Sequence, residues 1–167
     1  MAVNEKLVTR DKKVAFMAVG GKDETTFTRM TKFTSMSKSS NPVEYSRTYV
    51  DEAAERSDVT GYAPSIAYGF DQYENNEVHN DIISITEGEK VGDDAIRTIL
   101  IVDFTAPVTA SDTTKYKAVK RNYSVIPDSD GGDENAYTYS GNFKASGAKE
   151  EVTVTSTDEW KTCTISN

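Results

Sequence analysis

Few residues of this chain could perform catalysis. It contains one histidine, His79, and one cysteine, Cys163, so a histidine-based metal cluster and an internal disulfide are both unavailable. These side chains act in catalysis when a base or nucleophile lies within hydrogen-bond reach, and the sequence places none beside either residue. We interpret His79 as a surface or boundary histidine and Cys163 as a small half-buried residue. The sequence thus predicts a protein that is not an enzyme and holds no metal and no cofactor.

One acidic segment has a composition that calcium loops share. It runs from Asp128 to Asp133 with the sequence DSDGGD. An EF-hand loop also needs a glutamate at its end and a helix on either side, and both are missing here. Because Pro127 precedes three aspartates and two glycines, the segment favours a solvated turn that closes a strand.

Charge excludes one class of function. The chain has 167 residues with 27 Asp and Glu against 19 Lys and Arg, a formal net charge of −8. Affinity for phosphate backbones comes mainly from Lys and Arg, so a general nucleic-acid binder is excluded. An excess of acidic residues keeps a concentrated protein soluble. It also suits the wall of a channel, because an acidic wall repels phosphates and lets DNA pass without binding.

Short strands with turn residues between them dominate the hydrophobic pattern. A single helix is predicted from Glu77 to Gly88, capped by Asn75 or Asn76, with Val78, Ile82 and Ile85 on one face. The fold class predicted is mainly β, an antiparallel β-sandwich or barrel-like subunit with one flanking α-helix. The predicted strands are Val14–Val19, Phe27–Ser37, Asp94–Phe104, Lys115–Ile126, Ala136–Ala145, Val152–Thr155 and Trp160–Ile165.

The segment from Asn41 to Phe70 is unusual. Strand-like alternation occurs at both of its ends, around Tyr45 and around Tyr68, and a long acidic stretch with no hydrophobic period separates them. We predict a functional or mobile loop at 51–62, too polar to pack and too long for an ordinary hairpin. The domain organisation expected is an N-terminal arm at 1–13 and one β domain at 14–167.

The order of these features resembles the tail tube proteins, or major tail proteins, of long-tailed phages of Gram-positive bacteria. The resemblance covers about residues 13 to 125 and is one of pattern. Downstream, the elements follow in the same order as in that family: the helix Glu77–Gly88, and then an apolar strand that begins with Ala95-Ile96-Arg97. The matching elements upstream are Asn41-Pro42, Glu44-Tyr45, Tyr49-Val50-Asp51-Glu52, Asp58-Val59, Tyr62 and the strand from Ser65 to Asp71.

The resemblance implies a structural virion protein that self-assembles into hexameric rings, which stack into the hollow tube conducting the phage genome. It implies that the subunits close a ring-shaped β-barrel on oligomerisation, and that double-stranded DNA passes through the lumen without specific binding. Other expected partners are the tape measure, tail terminator and distal tail proteins. The chain is then expected in the virion tail, after assembly in the host cytoplasm. The subunit-interface residues implied are Asp51, Glu52, Glu55, Arg56, Asp58 and Tyr62.

Two other classes of function stay open on the sequence. One is a bacterial surface or carbohydrate-binding β-sandwich, with the tyrosine-rich strand Tyr137–Phe143 as its binding face; the other is a small hydrolase on a β scaffold. We expect no signal peptide, because no charged start followed by an apolar run occurs in the first residues, and this expectation counts against the first class. For a tube, we expect an acidic lumen formed by some of the runs Phe27–Ser37, Val43–Val50 and Pro64–Asp71.

Overall fold

Antiparallel strands form most of the computed structural model, which describes residues 4–22, 25–109 and 112–166. The helix is α1 (Glu77–Glu87). The strands are β1 (Lys13–Met17), β2 (Thr26–Arg29), β3 (Phe33–Ser39), β4 (Pro42–Arg47), β5 (Arg56–Tyr62), β6 (Ser65–Asp71), β7 (Ile96–Thr109), β8 (Asp112–Gly132), β9 (Tyr137–Ala145), β10 (Glu150–Thr155) and β11 (Thr162–Ser166).

Six strands close into a small antiparallel barrel. Its strand order is β8, β7, β1, β2, β11 and β10, and β10 pairs back onto the first half of β8. The interior is filled by alternate residues of these strands, among them Phe16, Phe27, Leu100, Val154 and Cys163. Closure removes the free edges that a sheet of this length would expose.

The second half of β8 leaves the barrel and begins a curved sheet with the order β8, β9, β6 and β3. Helix α1 packs between this sheet and the outer face of the barrel. Strand β1 is therefore buried on both faces from Val14 to Met17, as the apolar run in this part of the sequence predicts. The core around α1 includes Met17, Ile66, Tyr68, Phe70, Val78, Ile82, Ile85, Ile99 and Phe143.

The sequence predicts the helix correctly. The Asn76 side chain accepts a hydrogen bond from the His79 backbone N–H at 3.1 Å and so satisfies a free donor of the first turn. Val78, Ile82 and Ile85 are fully buried on one face, each contributing on the order of 2 kcal/mol. The helix ends at Glu87, with Gly88 as its C-cap.

The expected single strand Phe27–Ser37 is wrong. The chain breaks at Lys32, whose φ is 64°, and the two parts join separate regions of one nine-stranded sheet. Strand β2 pairs with β1 and β11 in the barrel, whereas β3 pairs with β6 in the curved sheet. The alternation of residues 27–37 continues across the break, so the pattern alone does not reveal it.

The expected turn at 128–133 is also wrong, because strand β8 continues through Gly132. Ser129 pairs with Ser140 and Gly131 with Thr138 on β9. Gly132 has a φ of 107°, and a Cβ there would overlap the Ala136 carbonyl oxygen, so the strand end requires glycine. The turn follows at 133–136. The predicted class, a mainly β barrel with one helix, is confirmed.

Candidate assembly surface

Residues 33–71 form one long hairpin with two halves. The inner half, β3 with β6, belongs to the curved sheet, and the outer half, β4 with β5, forms a separate two-stranded ribbon. Asn41 marks the joint with a φ of 45°. Its Nδ2 donates to the Ala63 carbonyl oxygen and to Ser65 Oγ, both at 3.1 Å, which ties the two sides together where the ribbon begins.

This ribbon corrects the expected loop at 51–62. Residues 56–62 are strand β5, paired with β4 from Arg47–Arg56 to Pro42–Tyr62, and only the tip at 48–55 is irregular. The polar composition concealed the strand because neither face of the ribbon packs on the domain. The tip is also far longer than the two-residue turns by which hairpins are recognised in sequences.

Both strands of the ribbon are exposed, apart from the half-buried Gly61. The ribbon nevertheless carries large apolar residues: Tyr62 is 63% exposed and Val50 is fully exposed at the tip, and Val43, Tyr45, Tyr49 and Val59 are exposed as well. An isolated two-stranded hairpin is marginally stable in water. Exposed apolar side chains on such an element identify it as the candidate contact surface.

The sequence-predicted interface residues all lie on this ribbon and are all exposed. Asp51, Glu52 and Glu55 lie in the tip, where Glu52 Oε1 is 3.7 Å from Arg56 Nη1. The remaining two lie apart: Asp58 is opposite Tyr45 in the ladder, and Tyr62 is at the base. Their role in subunit contacts stays a prediction.

The curved sheet has a second face directed away from α1. Most of its residues are small or polar, with Ile126 as the large apolar exception. Ser129 Oγ and Ser140 Oγ lie 2.9 Å apart on it. We call it the serine face. The register assigns to it, with none of them buried, Ser35, Ser37, Ser39, Ser65, Ala67, Gly69, Asp71, Ser124, Ile126, Ser129, Gly131, Thr138, Ser140, Asn142 and Lys144.

This sheet also has two unpaired edges within the described part of the chain. Strand β3 is the last strand on one side, where the Arg10 guanidinium donates to the Met36 carbonyl oxygen at 3.3 Å. On the other side, β8 pairs from Val125 onward with β9 alone. Unpaired backbone donors and acceptors at a sheet edge are ready to pair with another chain.

His79 is buried, so its expected surface or boundary position is wrong. Its Nδ1 accepts from the Tyr73 backbone N–H at 3.2 Å, which leaves Nε2 to donate to the Thr31 carbonyl oxygen at 2.9 Å. The ring stacks on Phe70 with centroids 4.2 Å apart. Burial lowers the pKa of His79, which favours the neutral ring. With both nitrogens occupied, the residue is a structural one.

Cys163 is also more buried than expected, at 1% exposure inside the barrel. Burial raises the pKa of its thiol to about 12, so the reactive thiolate is suppressed. Among the residues that the structure describes, no three His, Cys, Asp or Glu side chains lie close enough to hold a metal ion. No helix in the same residues is long and apolar enough to span a membrane.

Sequence reasoning missed a buried ion pair between α1 and β7. Arg97 Nε lies 2.7 Å from Asp81 Oδ2, and Arg97 Nη2 lies 3.1 Å from Asp81 Oδ1. The Gly20 backbone N–H also donates to this carboxylate at 3.3 Å. The sequence places Asp81 near the start of a helix, where an acid suits the helix dipole, and nothing in the pattern pairs it with Arg97.

The tyrosine-rich strand β9 does not form the binding face expected for a carbohydrate-binding module. Tyr139 and Phe143 are buried in the core around α1, and the Tyr139 hydroxyl donates to Glu87 at 3.2 Å. Gly141 between them is required, because a Cβ there would lie 2.7 Å from the Tyr68 hydroxyl. The alternation of aromatic residues therefore reflects packing, and only Tyr137 is exposed.

Comparison with known proteins gives limited information. No family model matches the sequence, and no curated protein gives a significant match. Among solved structures, the chain is similar to a chain of "Cryo-EM structure of the anti-feeding prophage (AFP) baseplate, 6-fold symmetrised". This similarity covers 90% of this chain and 97% of that chain, with a TM-score of 0.48 and 6% sequence identity. Similarity at this level assigns no function.

Proposed function

We propose that this chain is a structural subunit of a phage tail tube, which self-assembles into hexameric rings that stack into a hollow conduit for double-stranded DNA. The observation that supports it best is the curved sheet β8–β9–β6–β3. One face of this sheet is buried under α1, the other is the serine face, and both edges are unpaired among the residues that the structure describes. A strip of sheet with these properties can join its neighbours edge to edge around a ring.

The serine face suits the wall of a DNA channel. Its charged side chains are one carboxylate, Asp71, and one ammonium group, Lys144, on strands β6 and β9. Phosphates are retained by Lys and Arg, so a face with a single cation and many small hydroxyl groups gives DNA little to bind. The expected acidic lumen becomes a nearly neutral one in this proposal.

Three runs of residues are expected at the lumen from the sequence, and in this proposal two of them line it in part and the third does not. Pro64–Asp71 contributes to the serine face through β6, whereas Phe27–Ser37 contributes only its β3 portion, because Phe27 lies inside the barrel. Val43–Val50 belongs to the projecting ribbon and its tip. In the proposed tube this ribbon reaches a neighbouring subunit, which would cover its exposed apolar side chains.

In this role the protein is located in the virion tail after assembly in the host cytoplasm. It contacts the tape measure protein within the tube and the tail terminator and distal tail proteins at the tube's ends. We favour a long non-contractile tail, the kind of tube that the sequence resembles. These partners follow from the family resemblance described above.

The proposal is tested by the assembly state of the purified protein. Sedimentation velocity and negative-stain electron microscopy at rising protein concentration, at low and high salt, should reveal rings and hollow tubes. Six-fold end views would support the ring size. Monomers under every ionic condition would overturn the proposal.

A further inference from the structure

The two unpaired edges of the curved sheet carry opposite charges. Strand β3 and the residue before it contain two cations, Lys38 and Lys32, and no carboxylate. Arg10 brings a third cation to this edge, because its guanidinium donates to the Met36 carbonyl oxygen. All three cations are exposed. We call β3 with these three cations the basic edge.

The other edge, formed by β8 from Val125 onward, is acidic. This part of β8 and the turn that follows it contain Asp128, Asp130, Asp133 and Glu134 and no cation. All four carboxylates are exposed. We call this stretch, residues 125–134, the acidic edge. Within the residues that the structure describes, no charged side chain of either edge forms an ion pair, so these charges are free to meet another chain.

The charges of the two edges lie on the same side of the sheet. Lys38 is opposite Ile66 and Asp130 is opposite Tyr139, and both of these partners belong to the core around α1. Residues directly opposite each other share a face, so Lys38 and Asp130 point away from the serine face. The four antiparallel strands also leave β3 and β8 running in opposite directions. A β3 edge can therefore meet the β8 edge of an identically oriented neighbour as an antiparallel pair, with both sets of charges on one side.

We propose that these charges determine which edges of two copies pair: the basic edge of one copy binds the acidic edge of the next, whereas two basic edges or two acidic edges repel each other. The inference rests on the proposed function, which requires β3 to meet β8 and leaves open what prevents like edges from pairing. A second copy is the partner because the same chain carries both complementary edges. Pairing of unlike edges continues from copy to copy and can close a ring, whereas pairing of like edges ends at a two-fold dimer. The opposite charges therefore favour the ring over the dimer.

The test reverses the charge of one edge at a time. The first variant carries Arg10→Glu with Lys38→Glu, which makes both of its edges acidic, and the second carries Asp128→Lys, Asp130→Lys and Glu134→Lys, which makes both of its edges basic. We expect each variant alone to need a protein concentration at least about tenfold higher than wild type to form tubes, because like charges meet at every contact. An equimolar mixture should assemble near the wild-type concentration, since each edge of one variant then meets an oppositely charged edge of the other. A ring of six accommodates two alternating subunits.

The matched control changes the net charge as much as the first variant does, at positions away from both edges. Lys149→Glu with Lys161→Glu alters two exposed lysines beside the barrel strands β10 and β11. It should assemble alone as wild type does. Circular dichroism establishes that every variant folds, and sedimentation velocity with negative-stain electron microscopy measures assembly.

The outcomes separate this inference from the proposed function. If wild type and both edge variants form tubes equally well, the edge charges select nothing and the tube subunit stands. If the folded variants assemble neither alone nor as a mixture, the two edges do not meet and the inference is wrong. Loss of assembly in the control would assign the effect to net charge and would also overturn the inference. A wild-type protein that never assembles overturns both proposals.

Discussion

At the scale of single residues, the pair formed by Asp81 and Arg97 connects the helix to the barrel. Both side chains are buried, and Arg97 also donates from Nη1 to the carbonyl oxygens of Asp94 and Ile96. Removing one partner of a buried pair leaves an uncompensated charge. Breaking the buried pair therefore lowers the free energy of unfolding more than breaking an exposed pair such as Glu52 with Arg56.

We expect Asp81→Asn to lower the free energy of unfolding by about 3 kcal/mol, because Arg97 then stays charged and buried opposite a neutral amide. Urea unfolding followed by Trp160 fluorescence measures the change. Glu52→Gln is the matched control and should cost less than about 1 kcal/mol. Equal decreases in the free energy of unfolding of the two variants would show that the buried pair stabilises the fold no more than the exposed one.

His79 makes the fold sensitive to acid. Its pKa is lowered by burial, against the opposing effects of the Thr31 carbonyl and the Asp71 carboxylate, so the unfolded chain binds a proton more readily than the folded one. The contribution of neutral His79 is complete above the ordinary histidine pKa of about 6.5 and is lost as pH falls below it.

We therefore expect the melting temperature of the wild-type protein to fall between pH 7 and pH 5, and to fall less in His79→Gln, whose side chain does not titrate. Thermal denaturation followed by circular dichroism at each pH measures both slopes. Identical slopes would mean that other groups control the acid sensitivity.

At the scale of elements, the ribbon is separable from the domain. Pro42 and Tyr62 are paired at its base, so a two-residue Asn-Gly turn can replace residues 43–61. We expect this variant to fold, with unchanged fluorescence from Trp160, which packs against Phe16 and Phe104 at the barrel. It should form no tubes, because the exposed contact surface is gone. Tubes with wild-type yield from this variant would contradict the assembly role of the ribbon.

The hydrophobic pattern of the sequence predicts a helix or strand correctly here when buried and exposed residues alternate regularly along it. Helix α1 and strand β9 keep a clear period along their length, and both were predicted with nearly correct bounds. The break at Lys32 and the strand β5 were missed for different reasons. A single residue of positive φ leaves no trace in the alternation, and an exposed ribbon has no buried face to create one.

At the scale of the whole molecule, the arrangement of strands depends on pairings distant in sequence. Barrel closure joins β8 to β10, and the 21 residues of β8 belong first to the barrel and then to the curved sheet. No local pattern specifies such pairings, so the sequence predicts a barrel or sandwich without its strand order. The serine face was missed for the same reason, because strands distant in sequence contribute to it.

The nearly neutral serine face leads to a prediction for the assembled tube. Ser37→Lys with Ser140→Lys would add cations to this face without changing the core, so tubes should still form. They should retain short duplex DNA at low salt, and release it as screening increases. Fluorescence anisotropy of labelled DNA measures the retention, with wild-type tubes as the control. Lack of retention by lysine-bearing tubes would place the serine face outside the lumen.

The most direct measurement is cryo-electron microscopy of the protein assembled at high concentration. We predict hollow tubes of stacked six-subunit rings, in which the β3 edge of each subunit adjoins the β8 edge of the next and Ser37 and Ser140 face the lumen. The tip of each ribbon, at 48–55, should lie against a neighbouring subunit. Tubes with the serine face on the outside, or a protein that stays monomeric at every concentration, would contradict the proposed function.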